Sequence, residues 1–185
     1  MPYHREIIKD GHPTLRKVAK KVDPEELKDP LIQQLIDDMF ATMYAAPGIG
    51  LAAPQVNISK RIFITDLSVQ DEEIGEKLVF VNPRFTLVEE ELEAVEGCLS
   101  VPGKVGDITR YGHVVCAALD RHGKRFEVDG RKLFGRCLQH EMDHLNGVLY
   151  IDKAKNVRDA LKAEEEEASE IEGESIADDD EALSA

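Results

Sequence analysis

Two segments of the chain carry hydrophobic residues at helical spacing, with polar residues between them. The first begins at Asp29-Pro30, where an N-cap residue is followed by a proline suited to the first helical turn, and it ends near Ala46-Pro47. Its apolar positions are Ile32, Leu35, Ile36, Met39, Phe40 and Met43. This pattern predicts an amphipathic helix whose apolar stripe packs into the core.

The second segment ends at Gly147, a residue type that commonly follows the last turn of a helix. Its apolar positions are Phe134, Cys137, Leu138, Met142 and Leu145. Glu141 falls within this apolar stripe. Because a carboxylate among apolar residues is costly unless the protein uses it, Glu141 is a candidate for chemistry.

Alternating and short apolar runs predict the β-structure. Strands are expected at 61–65, 78–81, 85–95, 113–119, 125–128 and 148–151. A hairpin is expected around Arg121–Lys124, a turn at Val101–Gly103, a tight loop at Gly48–Gln55 and a helix from Lys153. Strands that precede a helix without a β-α-β rhythm favour an α+β fold. We expect mixed or antiparallel sheets packed around the second helix, with the amphipathic helix before it.

Composition and charge divide the chain into two parts. The 185 residues are 42% hydrophobic and 32% charged, which suits one globular domain. Segment 163–185 holds eleven of the 37 acidic residues and no Lys or Arg, so the remaining 26 acids nearly balance the 23 basic residues. We expect a single globular domain over 1–162 and a disordered acidic tail over 163–185.

The same features exclude several classes of protein. No apolar run approaches the roughly 20 residues that cross a bilayer, and charge interrupts the N-terminus at once, unlike a signal peptide. The sequence contains no stripe of basic residues of the kind that indicates sequence-specific nucleic-acid binding. Three cysteines, an odd number, argue against a disulfide framework. We therefore expect a cytoplasmic protein without membrane or specific nucleic-acid partners.

A candidate metal-binding motif lies on the second predicted helix. His140-Glu-Met-Asp-His144 has the H-E-x-x-H arrangement, in which two imidazoles four residues apart share one helical face and can bind one ion. The Glu beside the first His can reach a water on that ion. A catalytic site of this kind usually takes three protein ligands, so a third is needed.

Several residues are candidates for the third ligand. Cys137 is about 10 Å from His144 along the helix axis, so it cannot close the site and is expected to pack in the core. Cys116 lies in an alternating strand and is also expected in the core. Isolated histidines in polar or turn surroundings are expected at the surface: His4, His12, His113 and His122. Cys98 is the best of the candidates, since a thiolate suits zinc or ferrous iron.

Three segments together resemble the signature motifs of peptide deformylase. They are Gly48-Ile-Gly-Leu-Ala-Ala-Pro-Gln55, Glu96-Gly-Cys-Leu-Ser100 and Gln139-His-Glu-Met-Asp-His144, and the resemblance covers roughly residues 1–155. It implies one divalent ion per chain, with Fe²⁺ as the native metal and Zn²⁺, Ni²⁺ or Co²⁺ as alternatives. It also implies removal of the formyl group from the N-formyl-methionine of newly made polypeptides, with metal-bound water as the nucleophile.

The resemblance implies roles residue by residue. The metal ligands would be Cys98, His140 and His144. Glu141 would be the general acid/base, while Gln55 and the backbone N–H of Leu99 would stabilise the oxyanion. Glu96 would be structural. The residues around the substrate and its methionine would be Gly50, Ile49, Leu133 and Cys137.

Some features leave alternatives open. Lys104–Asp107 is unusual for the family, so the substrate preference beyond formyl-methionine is open. Basic residues from Lys153 onward could begin a helix like the basic C-terminal helix that contacts the ribosome in some relatives. The acids that follow would repel RNA phosphates, so a transient ribosome contact is left open. Two other protein classes also stay open: an H-E-x-x-H endopeptidase with Glu164 as third ligand, and a non-catalytic binding module stabilised by a metal.

Overall fold

The computed structural model describes residues 2–68 and 77–161, so the acidic tail predicted at 163–185 lies outside the described residues. Within the described part are two α-helices, α1 (Pro30–Ala45) and α2 (Lys132–Leu145). The strands are β1 (Gly50–Ala52), β2 (Ile62–Thr65), β3 (Leu78–Cys98), β4 (Val101–Leu119), β5 (Arg125–Arg131) and β6 (Lys155–Asp159). Every pairing between these strands is antiparallel, and the predicted α+β class is confirmed.

The sheet separates two hydrophobic cores. Its strand order is β1-β2-β3-β4-β5, and β6 pairs with β4. Because side chains alternate between the faces of a strand, Ile62 and Ile64 join the core on the α1 side, whereas Phe63 joins the core on the α2 side with Phe80. The two rings stack with centroids 4.5 Å apart. The helices therefore cover opposite faces of the same strands.

Helix α1 forms where the sequence predicts it. The Asp29 side chain accepts a hydrogen bond from the Leu31 N–H at 2.8 Å, and Pro30 occupies the first turn. The apolar stripe is buried as expected, and Ile36, Met39 and Met43 are fully inaccessible to solvent.

The long hairpin of β3 and β4 differs from the prediction. Separate strands were expected at 78–81 and 85–95, and the turn was expected later, at Val101–Gly103. β3 runs without interruption through Asn82-Pro83, where the register shifts and Asn82 adopts a φ of 50°. This bulge accommodates a proline that cannot donate to the ladder. The turn lies at Leu99-Ser100, and Cys98 pairs with Val101. The hairpin therefore ends at the cysteine motif.

Three other predictions are wrong, for reasons of tertiary pairing. The loop expected at Gly48–Gln55 contains β1, which pairs with β2. The strand expected at 148–151 is replaced by a 3₁₀ turn, Tyr150–Asp152. The helix expected from Lys153 is instead β6, because β4 offers a strand edge there.

His113 also differs from the prediction, which placed this histidine at the surface. It is only 6% exposed and lies between two carboxylates, with Nδ1 3.1 Å from Glu89 Oε2 and Nε2 3.0 Å from Asp129 Oδ2. The isolated position in sequence gave no sign of these partners, which come from the neighbouring strands.

Helix α2 lies unusually close to the sheet. β5 leads directly into α2, and a Cβ on Gly135 would lie 2.7 Å from the carbonyl oxygen of Gly130. Leu138, Met142 and Leu145 of the helix enter the core that contains Phe63. Gly130 and Gly135 thus allow the backbones of β5 and α2 to come into contact. Among the described residues, no helix is long and apolar enough to span a membrane.

We expect Gly135→Ala to destabilise the fold by about 2 kcal/mol, because the added methyl group would push α2 away from β5. The matched control is Gly97→Ala, whose added Cβ would have its nearest contact at 3.4 Å. Urea unfolding of both variants at equal metal content measures the difference. Equal stability of the two variants would contradict the close packing of α2 on β5.

Candidate metal centre and active site

Two distant parts of the chain bring together three side chains that could hold a metal ion. Helix α2 presents His140 and His144, whose ring centroids are 5.0 Å apart, and the end of β3 presents Cys98. Cys98 Sγ lies 3.3 Å from His144 Nε2, and one ligand atom of each residue lies within 4.8 Å of the others. Among the described residues, this is the one group of three or more His, Cys, Asp or Glu side chains with such spacing.

Glu96 orients one of the two imidazoles. His140 Nδ1 is 3.1 Å from Glu96 Oε2, which leaves the other ring nitrogen of His140 available for a metal. Burial alone would raise the pKa of Glu96, but hydrogen bonds with His140 and Arg110 outweigh it and lower the pKa to about 2. Glu96 is therefore a permanently charged acceptor beside the site.

A buried guanidinium ties this carboxylate to the motif helix. Arg110 donates to both oxygens of Glu96 at 3.0 and 2.9 Å, and to Asp143 Oδ2 at 2.5 Å. Lys153 Nζ donates to the other oxygen of Asp143 at 2.7 Å. The sequence pattern indicated no role for Arg110 or Asp143. The available signal was that Asp143, one residue before His144, is an acid within the metal motif.

Glu141 is buried at the centre of the site. It is 3% exposed, and no described protein group donates a hydrogen bond to its Oε2 atom. Burial raises the pKa of this carboxyl to about 7. A Cβ on Gly50 would lie 2.5 Å from Glu141 Oε1, so the Gly50 backbone passes directly against the carboxylate.

The Gln55 amide has a fixed orientation. Its Oε1 accepts a hydrogen bond from the Ala52 N–H at 2.9 Å, while its Nε2 donates to Ser100 Oγ at 3.2 Å and lies 3.7 Å from Cys98 Sγ. The amide N–H groups therefore face the cysteine, because the carbonyl end is already engaged.

These residues surround one cleft of about 670 Å³. It is lined by ten of the eleven residues given roles from the sequence: Ile49, Gly50, Gln55, Glu96, Cys98, Leu99, Leu133, Cys137, His140 and Glu141. The eleventh, His144, is 1% exposed. The structure thus brings together residues that are up to 95 positions apart in the chain, from Ile49 to His144.

The donor set fits a divalent metal ion. One sulfur and two imidazole nitrogens suit zinc or ferrous iron, and three protein ligands leave a position for a reactant. Cys137, by contrast, has its Sγ 3.9 Å from the Ile49 carbonyl oxygen, and burial raises the pKa of its thiol. Cys137 and the fully buried Cys116 both pack as expected.

Comparison with known proteins gives a consistent result. Residues 4–160 match the family model described as polypeptide deformylase. A curated peptide deformylase of Azotobacter vinelandii is 52% identical over 147 residues, which are 79% of this chain and 84% of the relative.

Solved structures agree with the sequence comparison. A peptide deformylase from Legionella pneumophila has a TM-score of 0.77 and 44% identity, covering 83% of this chain and 88% of its own. A Met-Ala-Ser-bound class I type b peptide deformylase from Acinetobacter baumannii has a TM-score of 0.77 and 35% identity, covering 83% and 99%. The chain described here therefore belongs to the peptide deformylase family of enzymes.

Proposed function

We propose that this protein hydrolyses the formyl group from the N-formyl-methionine end of newly made polypeptides in the cytoplasm, releasing formate. The observation that carries the proposal is the grouping of Cys98, His140 and His144 beside the buried carboxylate of Glu141 in one cleft. The Met-Ala-Ser peptide bound by the Acinetobacter baumannii relative supports it, since this peptide begins with the methionine that the reaction would leave.

Cys98, His140 and His144 would hold one divalent ion, with ferrous iron as the native metal and zinc, nickel or cobalt as alternatives. When bound, the ion supplies Lewis acidity that activates water near neutral pH. Glu96 would keep His140 in the tautomer that presents its free nitrogen to the ion. The helix that carries both histidines is thus the centre of the proposed site.

Glu141 would act as the general acid/base. Its Oε2 has no protein donor among the described residues, so this oxygen is available to take a proton from the attacking water. The same carboxyl group would then deliver that proton to the amine that leaves as the formyl C–N bond breaks. The products are formate and a free methionyl N-terminus.

Two donors would stabilise the developing oxyanion. The Gln55 amide is held with its N–H groups towards Cys98, and the backbone N–H of Leu99 belongs to the turn that follows the same cysteine. Donors fixed before the reaction need no reorganisation as charge develops, which is why they lower the barrier.

The methionine side chain would occupy the apolar part of the cleft. Ile49, Leu133 and Cys137 line it, and the absence of a side chain at Gly50 leaves room for the substrate backbone beside Glu141. We assign the catalytic domain to residues 1–162. A transient ribosome contact stays a prediction, although Arg158, one of the basic residues that favoured it, forms an ion pair with Asp107 at 2.8 Å.

We expect Glu141→Gln to lower formate release by at least about 100-fold with no loss of bound metal, because the proton carrier is removed while the ligands remain. The assay uses formyl-Met-Ala-Ser beside the unformylated peptide, with anaerobic purification and metal analysis. Glu93→Gln, on an exposed part of β3, is the control. Cleavage of internal peptide bonds without formate release would favour an endopeptidase instead.

We expect Arg110→Met to weaken metal binding by about 10- to 100-fold, because Glu96 would lose the partner that holds it against His140. A competition titration with a chromogenic chelator measures the affinity directly. Arg131→Met is the matched control, since that arginine is 60% exposed and its ion pair with Asp129 is of little energetic value. Unchanged affinity in Arg110→Met would show that the buried network does not support the ligand.

A further inference from the structure

An N-terminal segment connects the two groups to which we assign oxyanion stabilisation. The backbone N–H of Ile8 donates to the carbonyl oxygen of Gln55 at 2.9 Å. The next residue, Lys9, donates from its ammonium group to the carbonyl oxygen of Leu99 at 2.8 Å. Consecutive residues of one segment therefore hold both Gln55 and Leu99.

The same segment also holds the residue after Leu99. The backbone N–H of Asp10 donates to the carbonyl oxygen of Ser100 at 2.8 Å. Leu99-Ser100 is a two-residue turn, so small movements of its peptide planes would redirect the Leu99 N–H. In the described part of the chain, Lys9 is the one side chain that forms a hydrogen bond with the Leu99 backbone.

Lys9 is exposed but lies at the cleft rather than away from it. It lines the cleft together with Gln55, Cys98 and Leu99. A hydrogen bond from a charged donor is stronger than one between neutral groups, so this contact can hold Leu99 in one orientation at the cleft.

We propose that Lys9 is a positioning residue for deformylation: it holds Leu99 so that the Leu99 N–H points at the oxyanion. The inference rests on the proposed function, in which that N–H stabilises the transition state. Because the oxyanion develops only during the reaction, loss of the Lys9 contact should lower kcat and leave KM nearly unchanged.

The test compares Lys9→Met, Lys9→Arg and Lys17→Met in the full chain, with all variants loaded with the same metal to the same content. Met keeps most of the aliphatic length without the donor, and Arg restores a charged donor. Lys17 is an exposed lysine of the same N-terminal region that does not line the cleft. The measurements are kcat and KM with formyl-Met-Ala-Ser, bound metal, and the melting temperature.

We expect Lys9→Met to lower kcat about 3- to 10-fold, the size that one hydrogen bond supports, with KM within about two-fold of wild type. Lys9→Arg should recover at least half of the lost kcat. Lys17→Met should match wild type. Bound metal and melting temperature should stay constant across the set, because the Lys9 contact is at the surface.

Three results would overturn the inference while leaving the proposed function intact. They are an unchanged kcat in Lys9→Met, a rise in KM alone, which would mean that Lys9 binds the peptide itself, and no recovery in Lys9→Arg. Failure of wild-type protein to release formate would instead reject the proposed function, and the role of Lys9 with it.

Discussion

The buried guanidinium of Arg110 is the contact on which the arrangement of the site depends. It joins Glu96 of the β3–β4 hairpin to Asp143 of helix α2, and these are the two elements that supply the candidate metal ligands. A buried charge is unfavourable unless its partners are well placed, so this ion pair network is stable in one geometry of hairpin and helix. The same geometry brings Cys98 to His144.

Close packing of α2 on the sheet has a direct consequence for the cleft. Gly130 and Gly135 let the helix lie against β5, while Gly50 lets β1 lie against Glu141 from the other side. The buried carboxylate of Glu141 therefore has the Gly50 backbone, with no side chain, directly beside it. This packing leaves Glu141 almost inaccessible to solvent.

The two groups proposed to stabilise the oxyanion are held by a separate set of contacts. Gln55 is held by Ala52 and by the Ile8 N–H, and Leu99 is held by Lys9, so neither relies on the Arg110 network. In the proposed mechanism, metal binding and oxyanion stabilisation can thus be disturbed independently. This separation is useful experimentally, because metal affinity and kcat report on different parts of the structure.

The sequence by itself determined the local features and the candidate residues of the site. The caps and apolar period of α1, the spacing of His140, Glu141 and His144 on one helical face, and the hairpin before α2 all follow from short-range rules. The choice of Cys98 as third ligand needed the family resemblance, since spacing alone made it only the best of several.

Only the tertiary structure decided the features that depend on partners distant in the chain. β6 forms because the edge of β4 is available, despite a sequence that favoured a helix. His113 is buried because two neighbouring strands supply carboxylates. Arg110 and Lys9 resemble ordinary surface cations in sequence, and only folding places them on Glu96 and Leu99. The physical reason is that these hydrogen bonds and ion pairs join residues 14 to 90 positions apart in the chain. Sheet register and helix packing bring such residues together, and local sequence patterns do not encode either.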